Sequence, residues 1–187
     1  MVSPTETEVK IKLSDSLAIL ERLERAGFTL SSPRQFESNT IYDSPDHKLR
    51  QAEMIIRLRR AGDKFVLTWK GPSEGGKYKI RPEIETAVGS LEAAHNILRK
   101  VGFEPVFHYE KYRCEFTHKE NSSGVVTYDE TPIGNFLELE GPGEWIDETA
   151  SRLGFSENDH VLESYGRLYK AYCEQNHVDV RNMVFTS

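Results

Sequence analysis

The chain has 187 residues, a formal net charge of −6 and two cysteines. This length suits one ordinary domain with its own core, and two cysteines are too few for a disulfide scaffold or a thiolate metal cluster. The acidic balance argues against a nucleic-acid partner, the absence of an apolar run of roughly 18 residues argues against a membrane partner, and the lack of a hydrophobic signal-peptide segment favours the cytoplasm.

The first predicted strand, residues 6–13, alternates charged and apolar side chains. Successive side chains of a β-strand point to opposite faces. One face therefore carries Glu6, Glu8, Lys10 and Lys12, and the other carries Val9, Ile11 and Leu13. Two carboxylates beside two ammonium groups could form a metal site next to an anion site. The alternative is a half-exposed strand with a solvated charged face.

The same alternation recurs in the later predicted strands, which favours a functional face. The longest run, residues 77–85, sets three basic and two acidic groups against Tyr78, Ile80, Pro82 and Ile84. Shorter runs add Arg57, Arg59, Lys70, Lys111, Arg113, Asp129, Glu138 and Glu140 to the charged faces. An ordinary solvated face would more often include Ser, Thr, Gln and Asn.

Helical patterns lie between the strands. The first predicted helix begins after Ser14 or Asp15, either of which can cap it, and ends at Gly27. The second follows Ser90 and ends at Gly102. Two more are predicted near residues 144–154 and 162–175. We expect a single domain over residues 1–175 and a loosely attached C-terminal tail over residues 176–187, which has no clear period.

Turn signals separate the strand runs as in antiparallel hairpins. They lie at residues 62–63, 71–76, 121–124 and 132–135. A sheet with one charged face can expose that face to water, or it can close into a barrel that encloses the charges and packs its helices on the apolar outside. Mixed charges on nearly every strand favour the second solution. The predicted fold is therefore α+β, a closed eight-stranded antiparallel β-barrel (a tunnel) with helices packed outside.

Several short motifs follow one another in a recognisable order. Glu6-Thr7-Glu8-Val9-Lys10 has the form Glu-x-Glu-x-Lys, and it is followed by Arg57-Leu58-Arg59, Leu67-Thr68-Trp69-Lys70-Gly71-Pro72, Arg81-Pro82-Glu83-Ile84-Glu85, Lys111-Tyr112-Arg113, Asp129 and Glu138-Leu139-Glu140-Gly141. This order resembles the CYTH superfamily, the triphosphate tunnel metalloenzymes, which takes in class IV adenylyl cyclases and thiamine triphosphatases. The resemblance covers residues 4 to about 172, and it is closest to the class IV cyclase-like branch.

The resemblance implies an eight-stranded tunnel that binds a triphosphate with magnesium (Mg2+) or manganese (Mn2+). It implies metal binding by Glu6, Glu8, Asp129, Glu138 and Glu140. It implies substrate binding by Lys10, Arg57, Arg59, Lys70, Lys79, Arg81, Lys111 and Arg113, and catalysis by Glu6, Glu8, Lys10 and Lys70. Hard divalent cations do take carboxylate oxygens, and arginine pairs bidentately with phosphate.

Some assignments stay open. Glu83 and Glu85 either bind a second metal or neutralise neighbouring arginines, and the structural role is favoured. Hydrolysis of inorganic tripolyphosphate or of an organic triphosphate, such as thiamine triphosphate or ATP, is the first functional expectation, because it needs no adenine pocket. A class IV adenylyl cyclase that makes cyclic AMP and pyrophosphate is the alternative. The third hypothesis is a non-catalytic module that binds polyphosphate or a nucleotide. A homodimer is possible from the sequence.

Overall fold

The computed structural model describes residues 5–186, apart from the side chain of Leu17. Within that range the strands are β1 (Thr5–Leu13), β2 (Phe28–Asp43), β3 (Ile55–Ala61), β4 (Lys64–Lys70), β5 (Lys79–Ala87), β6 (Glu104–His118), β7 (Val125–Thr131), β8 (Gly134–Glu140) and β9 (His160–Val161). The helices are α1 (Ser16–Arg25), α2 (Lys48–Gln51), α3 (Leu91–Lys100), α4 (Gly143–Arg152) and α5 (Tyr165–Asn176). None of these helices combines the length and the apolar character that crossing a membrane requires.

The helix ends follow the capping signals in the sequence. The Ala18 amide donates to Asp15 Oδ1 at 3.2 Å, and the Ala93 amide donates to Ser90 Oγ at 3.1 Å. Gly102 follows α3 with a φ of +96°, a conformation that costs glycine little because it has no Cβ. These contacts confirm Asp15 and Ser90 as the residues that start the first two long helices.

The strands form one antiparallel sheet that closes on itself. Its order is β5-β4-β3-β2-β6-β7-β8-β1, and β1 pairs with β5 to complete the circle, with Glu6 opposite Arg81 and Glu8 opposite Lys79. The short β9 pairs with the same edge of β1 as β5 does, but farther along the strand, with Val161 opposite Lys10. The predicted eight-stranded antiparallel barrel with helices outside is therefore confirmed.

The hydrophobic core lies outside the barrel, between its outer face and the helices. The apolar side chains of β1 and β8, such as Ile11 (1% exposed) and Leu139 (0%), pack against Leu23 of α1 and Ile146 of α4. The alternation along β1 thus sends Val9 and Ile11 outward to the helices and Glu8 and Lys10 inward. A smaller cluster covers β2 and β3 with α3, where the Tyr42 hydroxyl lies 2.8 Å from His95 Nδ1.

The C-terminal segment is packed against the barrel. Met183 is fully buried, its amide donates to the His108 carbonyl at 3.0 Å, and its carbonyl accepts from the Glu110 amide at 2.9 Å. Its side chain joins a cluster that includes Tyr109 and Tyr165. The expectation of a loosely attached tail is wrong around Met183, where an isolated parallel bridge joins the tail to Tyr109 of β6. The proposed division at residue 175 stays a prediction, and residues 1–4 and 187 of the predicted domain and tail lie outside the described residues.

Candidate active site

The interior of the barrel holds ionised side chains that are nearly withdrawn from water. Lys10 is 3% exposed, Lys111 is 2% exposed and Asp129 is fully buried. The interior of an eight-stranded barrel is only wide enough for side chains or one small ligand, and buried charges must pair. The tunnel is therefore lined by ion pairs, and the predicted charged face of each strand supplies them.

One side of the tunnel, formed by β1, β5 and β8, is rich in carboxylates. We call it the acidic wall: Glu6, Glu8, Glu83 and Glu140. The Lys70 ammonium donates to Glu6 Oε2 at 2.6 Å and lies 2.9 Å from Glu83 Oε2. Lys70 at the end of β4 thereby joins the first strand of the chain to the fifth.

Glu8 is the most heavily paired carboxylate of the acidic wall. Its Oε1 accepts from the ammonium groups of Lys10 at 3.0 Å and Lys79 at 2.5 Å. Burial opposes ionisation, but the Lys10 charge and then the Lys79 charge hold the pKa of Glu8 well below its ordinary value. The lysines therefore favour the ionised form of Glu8.

The other two carboxylates of this wall are less fully neutralised. Burial raises the pKa of Glu83 to about 7 against the opposing Lys70 charge, and the Glu6 carboxylate adds to the rise. Burial raises the pKa of Glu140 to about 7 as well, with help from the Glu6 and Glu8 carboxylates. The acidic wall thus carries more carboxylate than its lysines neutralise.

Asp129 lies at the centre of a buried cluster between the walls. Its two oxygens accept from Arg113 Nε and Nη2, both at 2.6 Å, from Lys111 at 2.9 Å and from the Tyr165 hydroxyl at 2.7 Å. Arg113 also pairs with Glu138, which lies 3.2 Å from Lys10. This cluster fixes the orientation of Lys111 and Arg113 in the tunnel.

The opposite side, formed by β2, β3 and β6, is rich in hydrogen-bond donors. We call it the arginine wall: Asn39, Arg57, Arg59 and Tyr109. Arg57 Nη2 donates to Glu85 Oε1 at 3.1 Å and to Thr68 Oγ1 at 3.2 Å. Arg59 Nε donates to Asn39 Oδ1 at 2.9 Å.

The two arginines of this wall differ in how well their charge is matched. Burial lowers the pKa of Arg57, but the adjacent Tyr109 hydroxyl and the Glu83 and Glu85 carboxylates raise it above its ordinary value. For Arg59, burial and then the Arg57 charge lower the pKa, although Glu37 lies 3.3 Å away. The charge of Arg59 is therefore only partly compensated by the protein.

A family model for the CYTH domain matches residues 4–165. The chain belongs to the CYTH family. A relative from Methanocaldococcus jannaschii, named "Putative adenylate cyclase MJ0240", is 30% identical over 89% of this chain and 88% of its own length. This membership confirms the resemblance that the motif order indicates.

Solved structures share the CYTH barrel. A protein from Vibrio parahaemolyticus, described as a "putative adenylate cyclase", has a TM-score of 0.79 at 21% identity and covers 90% of this chain and 99% of its own. PH1819 from Pyrococcus horikoshii has a TM-score of 0.72 at 23% identity, over 89% and 99% of the two chains. At these identities the likeness concerns the fold alone.

Most of the predicted site residues line the CYTH tunnel. Two basic residues of the alternating run 77–85 do not offer their charge to the tunnel. The Arg81 guanidinium is turned to the backbone and donates to the Gly71 carbonyl at 3.0 Å through Nε. Lys77 lies before β5, at the surface, and pairs with Asp147 of α4 at 2.7 Å. Alternation alone therefore overestimates the number of bases that are free to face a ligand.

Glu83 and Glu85 contact basic side chains directly. Glu83 lies between Lys70 and Arg57, the latter at 3.7 Å, and Glu85 accepts from both Arg57 and the Thr68 hydroxyl. These contacts are those of groups that hold the bases in place. They agree with the structural role that the sequence favours for this pair.

Four tunnel residues are not indicated by the alternation in the sequence. Glu37 and Asn39 come from β2, Tyr109 comes from β6, and Tyr165 reaches in from the start of α5. On β2 the outward positions are partly polar as well, so alternation gives little contrast there. The only signal for Tyr165 is its place after the capping residue Ser164, whose hydroxyl accepts from the Arg167 amide at 3.4 Å.

The acidic wall has the donor chemistry that a divalent cation needs. Among residues 5–186 no three metal-ligating side chains are gathered into a ready-made cluster. Glu6, Glu8 and Glu140 nevertheless supply hard carboxylate oxygens on adjacent strands. Burial raises the pKa of Glu140, and the Glu6 and Glu8 carboxylates add to the rise. Asp129 fits less well, because lysine, arginine and tyrosine donors already occupy its oxygens.

Proposed function

We propose that this CYTH protein is a divalent-metal-dependent enzyme that hydrolyses inorganic tripolyphosphate or an organic triphosphate such as thiamine triphosphate or ATP. The observation that supports this proposal most is the polarity of the closed tunnel. Surplus carboxylate lies on the acidic wall, and surplus donors lie on the arginine wall. A complex of a divalent cation with a polyphosphate satisfies both.

The proposed metal ligands are Glu6, Glu8 and Glu140. Glu138 and Asp129, which the resemblance also implies, are paired with Arg113. When bound, Mg2+ or Mn2+ neutralises phosphate charge and lowers the pKa of coordinated water. Lys70 and Lys79 contact the carboxylates of Glu6 and Glu8, so their ammonium groups would lie beside a phosphate bound at those carboxylates. Phosphoryl transfer depends mainly on positioning and charge neutralisation, and this residue set supplies both.

The remaining bases are assigned to binding. Arg57, Arg59 and Arg113 offer planar guanidinium groups for bidentate contacts, whereas Lys10 and Lys111 act as point charges. Lys10 and Lys111 both lie over the Tyr165 ring, at 5.4 Å and 5.3 Å from its centroid. Tyr165 thus keeps two ammonium groups together on one side of the tunnel.

Adenylyl cyclisation is the second candidate. The Methanocaldococcus relative at 30% identity carries an adenylate cyclase name. The structure of a protein from Hippeastrum, covering 94% of this chain and 97% of its own at 17% identity and a TM-score of 0.61, is described as an adenylyl cyclase candidate with a dominant triphosphatase activity. We place hydrolysis first because it needs only the charged tunnel, whereas cyclisation also needs a nucleoside held with its ribose hydroxyl at the α-phosphorus.

A panel assay tests the proposal. The protein is incubated with tripolyphosphate, thiamine triphosphate and ATP, each with Mg2+, Mn2+ or EDTA, and the products are resolved by ion-exchange chromatography. Released phosphate that requires metal supports hydrolysis. Cyclic AMP with equimolar pyrophosphate as the main product supports the cyclase. Binding of every triphosphate without turnover in any metal would instead indicate a non-catalytic module.

A further inference from the structure

Asn39 is buried in the middle of the arginine wall. It lies on β2, opposite Arg59 of β3 and opposite Tyr109 of β6, and none of its surface is exposed. Its Oδ1 accepts a hydrogen bond from Arg59 Nε at 2.9 Å. Because a guanidinium group can only donate, this contact fixes which end of the amide faces Arg59. The Nδ2 donor therefore points elsewhere.

That donor has no hydrogen-bond partner among residues 5–186. Arg57 Nε, on the neighbouring strand β3, is likewise buried and without a partner there. Buried donors are almost always satisfied, since leaving one unpaired costs free energy. Glu37 Oε2, an acceptor two residues away on β2, also lacks a hydrogen-bond partner among the described residues, with the Lys111 ammonium 3.6 Å away. The two unpaired donors are groups that an acceptor entering the tunnel would satisfy.

The charges around Asn39 indicate the nature of that acceptor. Burial and the Arg57 charge lower the pKa of Arg59, so this wall has positive charge that the protein compensates only in part. Glu37 is the nearby carboxylate, and Lys111 at 3.6 Å and Arg59 at 3.3 Å share it. A group with several acceptor oxygens and negative charge fits these donors, and a phosphoryl group has both properties.

We propose that Asn39 binds the substrate, with Nδ2 donating to a phosphoryl oxygen beside Arg57 and Arg59. This inference rests on the proposed function and adds a neutral amide to the basic side chains. The sheet order places β2 four strands from β1 in both directions around the barrel. Asn39 therefore lies across the tunnel from Glu6 and Glu8. A phosphate chain held by a cation at the acidic wall must be long enough to cross the tunnel before it reaches Asn39.

Asn39→Asp tests this contact. The aspartate keeps an oxygen for Arg59, but it replaces the free donor with a charged acceptor that repels phosphate. We expect the affinity for tripolyphosphate, measured by isothermal titration calorimetry in EDTA and in Mg2+, to fall at least tenfold. The melting temperature of the ligand-free protein should stay the same or rise, because Arg59 gains a full counter-charge. The affinity for pyrophosphate in Mg2+ should change much less.

Asn96→Asp is the matched control, since it makes the same substitution on the exposed surface of α3. Its tripolyphosphate affinity should stay within twofold of the wild-type value. A lower melting temperature with unchanged tripolyphosphate affinity in Asn39→Asp would show a structural role and overturn the inference. Should that variant not fold, Asn39→Ala is measured by the same criterion. Absence of tripolyphosphate binding in the wild-type protein would instead overturn the proposed function itself, and the inference with it.

Discussion

The acidic wall and the arginine wall face each other across one narrow tunnel and differ in charge. Carboxylates are in excess on the first, and positively charged donors are in excess on the second. On the acidic wall, burial and then the neighbouring carboxylates raise the pKa values of Glu83 and Glu140 to about 7. On the arginine wall, Arg59 has a lowered pKa, and Asn39 has a donor without a partner among the described residues. The difference fits the proposed ligand, which has a cation at one end and acceptor oxygens at the other.

The walls also differ in the groups that they use. Lysine, a compact point charge on a flexible stem, pairs with the carboxylates of the acidic wall, where it can yield its place to a cation. Arginine, which is planar and always charged, lines the other wall, where bidentate contacts to phosphate are useful. Each wall therefore has the base that suits its proposed ligand, and each can be changed separately.

Glu8→Gln is expected to have the largest effect on turnover. It removes the most heavily paired carboxylate of the acidic wall, so metal-dependent turnover of tripolyphosphate should fall by roughly 10²–10³-fold. Binding of tripolyphosphate in EDTA, which depends on the arginine wall, should persist. Phosphate release and calorimetry on the same preparation measure the two effects.

The control for this variant is Glu148→Gln on the exposed side of α4, which should turn over at the wild-type rate. Circular dichroism establishes that both variants are folded. A folded Glu8→Gln protein with the wild-type rate in Mg2+ would show that the acidic wall does not hold a catalytic metal.

Met183→Ala tests whether packing of the C-terminal segment against Tyr109 stabilises the fold. Met183 is fully buried against Tyr109 and Tyr165, so its truncation leaves a cavity that should cost about 3 kcal/mol of unfolding free energy. Val180, 54% exposed, supplies the control, since Val180→Ala should cost less than about 0.5 kcal/mol. Urea unfolding measures both variants. Equal stability of the two would mean that the C-terminal segment is not bound as described.

The inward and outward faces are predicted best for strands in which charged and apolar residues alternate clearly. On β1, Glu8 and Lys10 alternate with Val9 and Ile11, and the structure places the two sets on opposite sides of the barrel wall. On β2 the inward Asn39 is flanked by Ser38 and Thr40, which are also polar. Polar side chains on both faces remove the contrast, so the pattern cannot indicate which face is inside.

Long-range packing explains what else the sequence could not indicate. Met183 is one of five apolar residues in the tail, with Val178, Val180, Val184 and Phe185, and they follow no clear period. Its burial depends on β6, which is far away in the chain. The orientation of Arg81 depends on the Gly71 carbonyl beyond the preceding turn. Alternation gives the face of a side chain but not its partner.

Arg57→Met and Arg59→Met separate binding from stability within the arginine wall. Each removes a charge-assisted phosphate contact, so each should weaken tripolyphosphate binding by about 2 kcal/mol, or roughly 30-fold. Only Arg57→Met should also destabilise the ligand-free protein, because the pKa of Arg57 is raised in the fold whereas that of Arg59 is lowered. Calorimetry and thermal unfolding give the two numbers for each variant.

Arg34→Met is the control for both arginines, since it removes an exposed arginine that pairs with Glu130 at 2.7 Å. It should leave binding unchanged and affect stability little, as exposed ion pairs contribute little. Greater destabilisation by Arg59→Met than by Arg57→Met, with unchanged affinity in both, would indicate a salt-bridged structural face with no role in binding.

The smallest expected effect concerns acid. Glu37 lies beside the arginine wall. Burial alone would raise its pKa, but the Lys111 and Arg59 charges outweigh burial and lower the pKa to about 2. A carboxyl group whose pKa is depressed by folding stabilises the fold above its unfolded pKa of about 4.5, and this stabilisation is lost as the pH falls toward 2. Between pH 7 and pH 4 the wild-type protein should therefore lose about 1 kcal/mol more than Glu37→Gln. Urea unfolding at both pH values measures this difference. Parallel losses in the two proteins would mean that Glu37 is not held as an anion by Lys111 and Arg59, and the described charge balance of the arginine wall would then be wrong.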